Sequence, residues 1–280
     1  MGIYDRDYYR RSLPRGGFGY FNAWSVTTWL IVANVVVFFA CGILGRIYAQ
    51  PGTGAFDGID GISSPEAMRR FTLALMSPLE RWGYFSLDKA VYAGQIWRFF
   101  TFQFLHASLL HLIGNMLGLY FFGPIVESHF GPRRYLAFYL LCGLAGAFSY
   151  VLLAFSHVIR IEPWEPLVGA SAGIFGLLVA AAMIAPDVQV FYYLFPVTIR
   201  MLAIFGMLLA AYAVFASVEQ LNSGGEAAHL GGGVLGYLLM KNQHWLNAFE
   251  RRRAQLVAVG ATRRRRVRAF QKDWSKDFNR

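Results

Sequence analysis

Three groups of polar residues sit inside strongly apolar sequence, and each has chemistry available to it. Gly169-Ala170-Ser171-Ala172-Gly173 presents a serine among small residues, and Ala228-His229-Leu230-Gly231-Gly232-Gly233-Val234-Leu235-Gly236 presents a histidine followed by glycines. A third stretch carries His106, His111 and Asn115. A serine hydroxyl attacks an amide only when a base takes its proton, and the reaction also needs donors aimed at the developing oxyanion. Ser171 is the candidate nucleophile and His229 the candidate base. Neutral His111 and the Asn115 amide can each donate a hydrogen bond, and their spacing of four puts them on one helix face.

Each group taken alone has a plainer reading. Gly-x-Ser-x-Gly marks a strand-to-helix elbow in soluble hydrolases, but here no strand pattern precedes it and an apolar run follows. Small residues in a membrane helix also serve close packing. Two histidines could hold zinc, yet His106 and His111 are five apart, about 140° around a helix. No Cys, Asp or Glu joins them, so no metal is expected. His229, Gly232, Gly233 and Gly236 follow one helical stripe. A neighbouring helix can approach such a stripe closely, so His229 is expected to face that neighbour and not lipid.

The elements that must position these residues follow from composition. The 280-residue chain is 56% hydrophobic and 15% charged, against about 25% charged in an ordinary soluble domain. A helix needs about 20 apolar residues to cross the hydrocarbon core. Six runs are candidates: 23–44, 99–126, 135–159, 167–186, 201–218 and 227–240. The last is the weakest, about 14 residues long. The predicted fold is an all-α integral membrane protein, a bundle of six transmembrane helices. Residues 1–22 form an N-terminal arm, 23–243 the membrane domain with a long outer loop near 46–98, and 244–280 a basic tail. With six crossings, 19 of the 26 Lys and Arg fall on the side of the termini, which places both termini in the cytoplasm. Runs two, four and six then point the same way, and Ser171, His229 and His111 fall within roughly 15 Å of the outer boundary.

The remaining segments carry weaker signals. The outer loop opens Gly-rich and then turns amphipathic, with Phe71, Leu73, Leu75 and Met76 beside Arg69 and Arg70, as in a segment lying in the interface. The arm holds Arg6, Arg10, Arg11 and Arg15, and the tail holds Arg251 to Arg253 and Arg263 to Arg266. The tail is expected to meet anionic lipid headgroups. Nucleic acid is not an expected partner, because no aromatic stacking platform accompanies those charges. Cys41 and Cys142 lie in apolar runs and read as small buried hydrophobes. The first run is too long for a cleaved signal core, and the short arm without a Ser-rich leader suggests a prokaryotic plasma membrane. A transporter would show repeated halves, and no repeat is visible.

Together, in order and on separate runs, these residues resemble the rhomboid family over roughly Trp97 to Met240. The matching stretches are Trp97-Arg98, His106, His111-Leu112-Ile113-Gly114-Asn115, Gly123 and Glu127, Gly169 to Gly173, and Ala228-His229-Leu230-Gly231-Gly232 with Gly236. The resemblance implies a six-helix intramembrane serine endopeptidase with a Ser171–His229 dyad, no acid and no cofactor. It implies an oxyanion hole from His111, Asn115 and the Ser171 backbone N–H. Trp97 and Arg98 would scaffold the outer loop, His106 would line the cavity and Glu127 would be a structural carboxylate. Gly169, Gly173, Gly232 and Gly236 would support the site. Family substrates are single-span transmembrane proteins cut near the outer face. The alternative is a catalytically silent rhomboid-like protein that binds transmembrane segments. Silent members typically lose the serine or histidine, and both are present here.

Overall fold

A computed structural model describes residues 24–48, 72–192, 195–216 and 222–249. The arginines of the N-terminal arm, the Gly-rich start of the outer loop with Arg69, Arg70 and Phe71, and the arginine runs of the tail lie outside the described residues. Among the described residues six helices have 14 residues or more: α1 Val26–Tyr48, α2 Leu109–Phe130, α3 Pro132–Phe155, α4 Ser171–Ile184, α5 Ile199–Phe215 and α6 Ser223–Lys241. Three contain segments long and apolar enough to cross a membrane: Val26–Gly45, Leu109–Phe130 and Pro132–Phe155. Helices α4 and α5 are shorter apolar helices. The 14 residues of α4 reach about 21 Å, less than a hydrocarbon core of about 30 Å.

Side-chain caps set where several helices begin, and these starts differ from the hydropathy boundaries. The Ser108 hydroxyl accepts from the His111 N–H at 3.2 Å, so α2 starts at Leu109 and not at Phe99. Ahead of it lie one α-turn, Arg98–Thr101, and a 3₁₀ turn, Phe102–Phe104. His106 therefore sits in the connection before α2. His106 and His111 thus share no helix and are not set about 140° apart on one; an apolar run does not reveal a break made by a polar cap. The fourth run begins with extended chain, and Ser171 is the first helical residue of α4 instead of about the fourth. The sixth run gains Ser223 to Glu226 and Lys241, reaching 19 residues, because Asn222 caps it by accepting from the Gly225 N–H at 2.9 Å. A hairpin, β1 Gln189–Tyr192 with β2 Phe195–Thr198, joins α4 to α5 and was not anticipated.

Helices α3, α4 and α6 pack most closely on one another. Their shared core holds Phe138, Tyr139 and Cys142 of α3, Leu177 and Ala181 of α4, and Leu239 of α6, all buried. Cys41 and Cys142 are both free and buried. In lipid no water is squeezed out between helices, so small residues and direct packing draw the helices together. A Cβ placed on Gly146 of α3 would lie 2.8 Å from the Ala228 carbonyl oxygen of α6. Helix α1 is tied on separately. The Glu127 carboxylate near the end of α2 accepts from the Val26 N–H at 2.7 Å, the Thr27 N–H at 2.9 Å and the Thr27 hydroxyl at 2.7 Å. It thereby takes up first-turn N–H groups that no helix can satisfy by itself.

The described part of the chain before α2, residues 72–108, packs against one end of the bundle. Ser77 and Glu80 form a reciprocal capping box at the helix Pro78–Gly83. Arg98, nearly buried, threads between these turns. It donates to the carbonyls of Tyr84 (2.5 Å) and Arg81 (2.8 Å) and to Gln95 Oε1 (2.6 Å), with its guanidinium 4.8 Å from the Tyr84 ring centre. A buried cation is tolerable only with its protons so occupied. Trp97 stacks on Trp82 and donates its indole N–H to the Trp82 carbonyl at 3.2 Å.

Candidate active site

The extended chain leading to Ser171 is fixed by pairing with the connection before α2. Phe85 and Leu167 exchange backbone hydrogen bonds of 3.1 and 2.8 Å, and the Gly169 N–H donates to the Phe102 carbonyl at 3.0 Å. Gly169 has φ +132°, and a Cβ there would lie 2.8 Å from His111 Nε2 and 3.5 Å from Ser171 Oγ. Only glycine fits both the backbone angle and the space, and the bare backbone lets His111 and Ser171 border the same point. Being first in α4, Ser171 keeps a backbone N–H with no acceptor inside its helix.

His229 reaches Ser171 from α6. Its Nε2 lies 2.8 Å from Ser171 Oγ. The approach depends on small residues: a Cβ on Gly232 would collide with the Ala172 carbonyl, and one on Gly236 would lie 2.7 Å from the Gly176 Cα. Gly232 and Gly236 thus face α4, as the stripe implied. Gly233 does not share that face. It meets Met207 of α5, and Gly231 meets α3 at Ala145 and Ser149, so the glycine-rich stretch is enclosed by three helices. Gly173 opens space for Tyr139 of α3.

His111, on the first turn of α2, is half-buried, and its ring centre is 5.1 Å from that of buried His106 in edge-to-face contact. Asn115 is buried one turn further on, and its side-chain N–H₂ has no protein partner. A buried amide without an acceptor is costly, so a free donor here suits a group that arrives from outside. Among the described residues no three His, Cys, Asp or Glu side chains gather as a metal ion would require.

Two contacts went unread in the sequence. Phe175 stacks flat on the His229 imidazole, with centres 4.2 Å apart and planes 4° apart. The Glu226 carboxylate lies 3.0 Å from His229 Nδ1, so a carboxylate stands where the resemblance implied none. The i,i+3 spacing of Glu226 and His229 and the i,i+4 spacing of Ser171 and Phe175 were the available signals.

A serine hydrogen-bonded to a histidine at the packed ends of apolar helices, three of them long enough to cross a membrane, defines a membrane-type helical bundle with a serine–histidine pair between its helices. The chain belongs to the rhomboid family: a rhomboid-domain profile matches residues 93–243, more than half of the sequence. Its relatives include RHOMBOID-like protein 2 of Arabidopsis thaliana, 32% identical over 160 residues, 54% of this chain and 48% of that protein. Rhomboid-like protease 3 of Toxoplasma gondii is 32% identical over 84 residues, 30% of this chain and 29% of that protein. Inactive RHOMBOID-like protein 8 of Arabidopsis thaliana is 33% identical over 102 residues, 36% of this chain and 27% of that protein. The chain spans about half or less of the length of the curated relatives it matches. One relative is named a protease and another inactive, so membership alone leaves activity open. The relatives named here are eukaryotic and lend nothing to the expected prokaryotic membrane.

Proposed function

We propose that this chain is an intramembrane serine endopeptidase that cleaves single-span transmembrane proteins near the outer face of the membrane. The observation that carries the reading is the 2.8 Å contact between His229 Nε2 and Ser171 Oγ. Ser171 Oγ attacks the scissile carbonyl carbon while its proton passes to His229 Nε2. The oxyanion is received by the Ser171 N–H, His111 and Asn115. His229 then returns the proton to the leaving amide nitrogen as the C–N bond breaks. It next takes a proton from water, whose oxygen attacks the acyl carbon, and returns that proton to Ser171 Oγ as the ester bond breaks, which releases the acid product and restores both residues. In this reading α1 to α6 all cross the membrane, both termini are cytoplasmic, residues 23–243 form the membrane domain, and the basic tail meets anionic headgroups. His106 lines the cavity.

The test is labelling of the purified protein with a fluorophosphonate, with cleavage of a model transmembrane substrate measured in parallel. Wild type is expected to label at Ser171 and to cleave. Ser171→Ala and His229→Ala are expected to insert and lose cleavage to below a few per cent. Binding of the substrate without labelling or cleavage by wild type would establish instead a silent binder, the reading that a relative named inactive keeps in play.

A further inference from the structure

The structure places the Glu226 carboxylate on the far nitrogen of the candidate base, and we infer that Glu226 is the positioning residue that orients His229 toward Ser171, making a three-residue relay. The inference rests on the protease reading. Its geometry is a chain of two hydrogen bonds through one ring: Glu226 Oε2 to Nδ1 at 3.0 Å, then Nε2 to Ser171 Oγ at 2.8 Å. An ionised carboxylate has no proton to give, so Nδ1 carries the hydrogen and donates it. Nε2 is then left with its lone pair facing the serine hydroxyl, the tautomer a base requires. The other tautomer would aim an N–H at the nucleophile and leave two acceptors opposed at Nδ1.

Three further observations favour an orienting role over a casual surface contact. The side chains of Glu226 and His229 are 25% and 18% exposed, so neither is freely solvated. Phe175 lies flat on the imidazole, which fixes the plane of the ring but not which edge meets Ser171. The bond to Glu226 fixes that edge. Glu226 also sits in the first turn of α6, held by the Asn222 cap, so its backbone is ordered independently of the site. From α2, His111 is a further titratable group close enough to interact with His229, and it brings no carboxylate to compete for Nδ1. During attack the Ser171 proton moves to Nε2, the ring becomes a cation, and the anion of Glu226 balances it without itself gaining a proton.

The experiment uses the full chain purified in detergent, as wild type, Glu226→Gln, Glu226→Ala and Glu162→Gln, the last an exposed outer carboxylate serving as control. Groups that orient a working histidine cost about 10–100-fold when removed at metal sites, and about 10⁴-fold in a serine triad. Glu226→Ala is expected to lower kcat at least 10-fold, with KM and melting temperature unchanged. Glu226→Gln keeps an acceptor oxygen without the charge and is expected to fall between it and wild type. In histidine-labelled protein, the Nδ1–H proton resonance of His229 is expected in wild type and lost in Glu226→Ala. A kcat for Glu226→Ala within about twofold of the control overturns the inference, as does a kcat loss matched by a fall in melting temperature. If wild type cleaves nothing, the protease reading fails, and the proton resonance still decides whether Glu226 orients the ring.

Discussion

At the scale of single residues, the site is a matter of which polar groups are occupied and which are left free. His229 has both ring nitrogens engaged, whereas the Asn115 amide nitrogen has no protein partner. A buried donor held in reserve is what the proposed oxyanion site needs. Removing one oxyanion donor typically costs about 10²–10³ in kcat. Asn115→Ala and His111→Ala are therefore each expected to lower kcat within that range while Ser171 still reacts with a small fluorophosphonate. Wild-type turnover in both variants would reduce the pair to packing residues and move the oxyanion site elsewhere.

At the scale of elements, the chemistry depends on how near α6 can come to α4. The atom that faces Gly232 is the Ala172 carbonyl oxygen, next to Ser171 and unable to rotate away like a side chain. A methyl group there must part the two helices. A misplacement of about 1 Å can cost about 10² in rate. Gly232→Ala is expected to lose at least that and to melt at lower temperature. Gly42→Ala in α1, where nothing lies within 4 Å of the new atom, is expected to melt and cleave as wild type does. The attachment of α1 has its own test. Glu127→Ala strips the acceptor from two N–H groups and a hydroxyl, a loss of about 1–3 kcal/mol, measurable as a shift in denaturant unfolding in detergent. An unchanged unfolding midpoint would mean that water replaces the carboxylate at that helix end.

At the scale of the whole molecule, the turns before α2 and the bundle form one scaffold for Ser171. Arg98 ties the turns near Arg81 and Tyr84 together, Phe85 pairs with Leu167 and Phe102 accepts from Gly169, so Ser171, the proposed nucleophile, is positioned partly by chain about 70–85 residues away. In the proposed orientation these turns lie outside and the end of α6 lies inside. A cysteine replacing exposed Ser156, just after α3, is expected to react with a membrane-impermeant maleimide on right-side-out vesicles. One replacing Lys241 is expected to react only after the membrane is opened. The native Cys41 and Cys142 are buried and give little background. Reversed labelling would overturn the cytoplasmic placement of the termini.

The sequence by itself determined the material of this protein. Apolar runs longer than a soluble domain uses, basic termini and a serine, histidines and an asparagine set among small residues were all legible, because composition and spacing alone state their energetic cost in lipid. It also showed which residues could be close, since Gly232 and Gly236 share a helix face with His229. The tertiary structure decided the rest. Hydropathy cannot see a cap, so only the fold showed that α2 begins at Leu109, capped by Ser108, and that His106 precedes it. Periodicity cannot assign faces to neighbours, so only packing sent Gly233 to α5 and Gly232 to α4. The roles of Phe175 and Glu226 depend on the rotation of one imidazole. That ring is held by Glu226 within α6 and by Ser171 and Phe175 of α4, and the order of the two helices in the chain carries no record of the angle at which they meet.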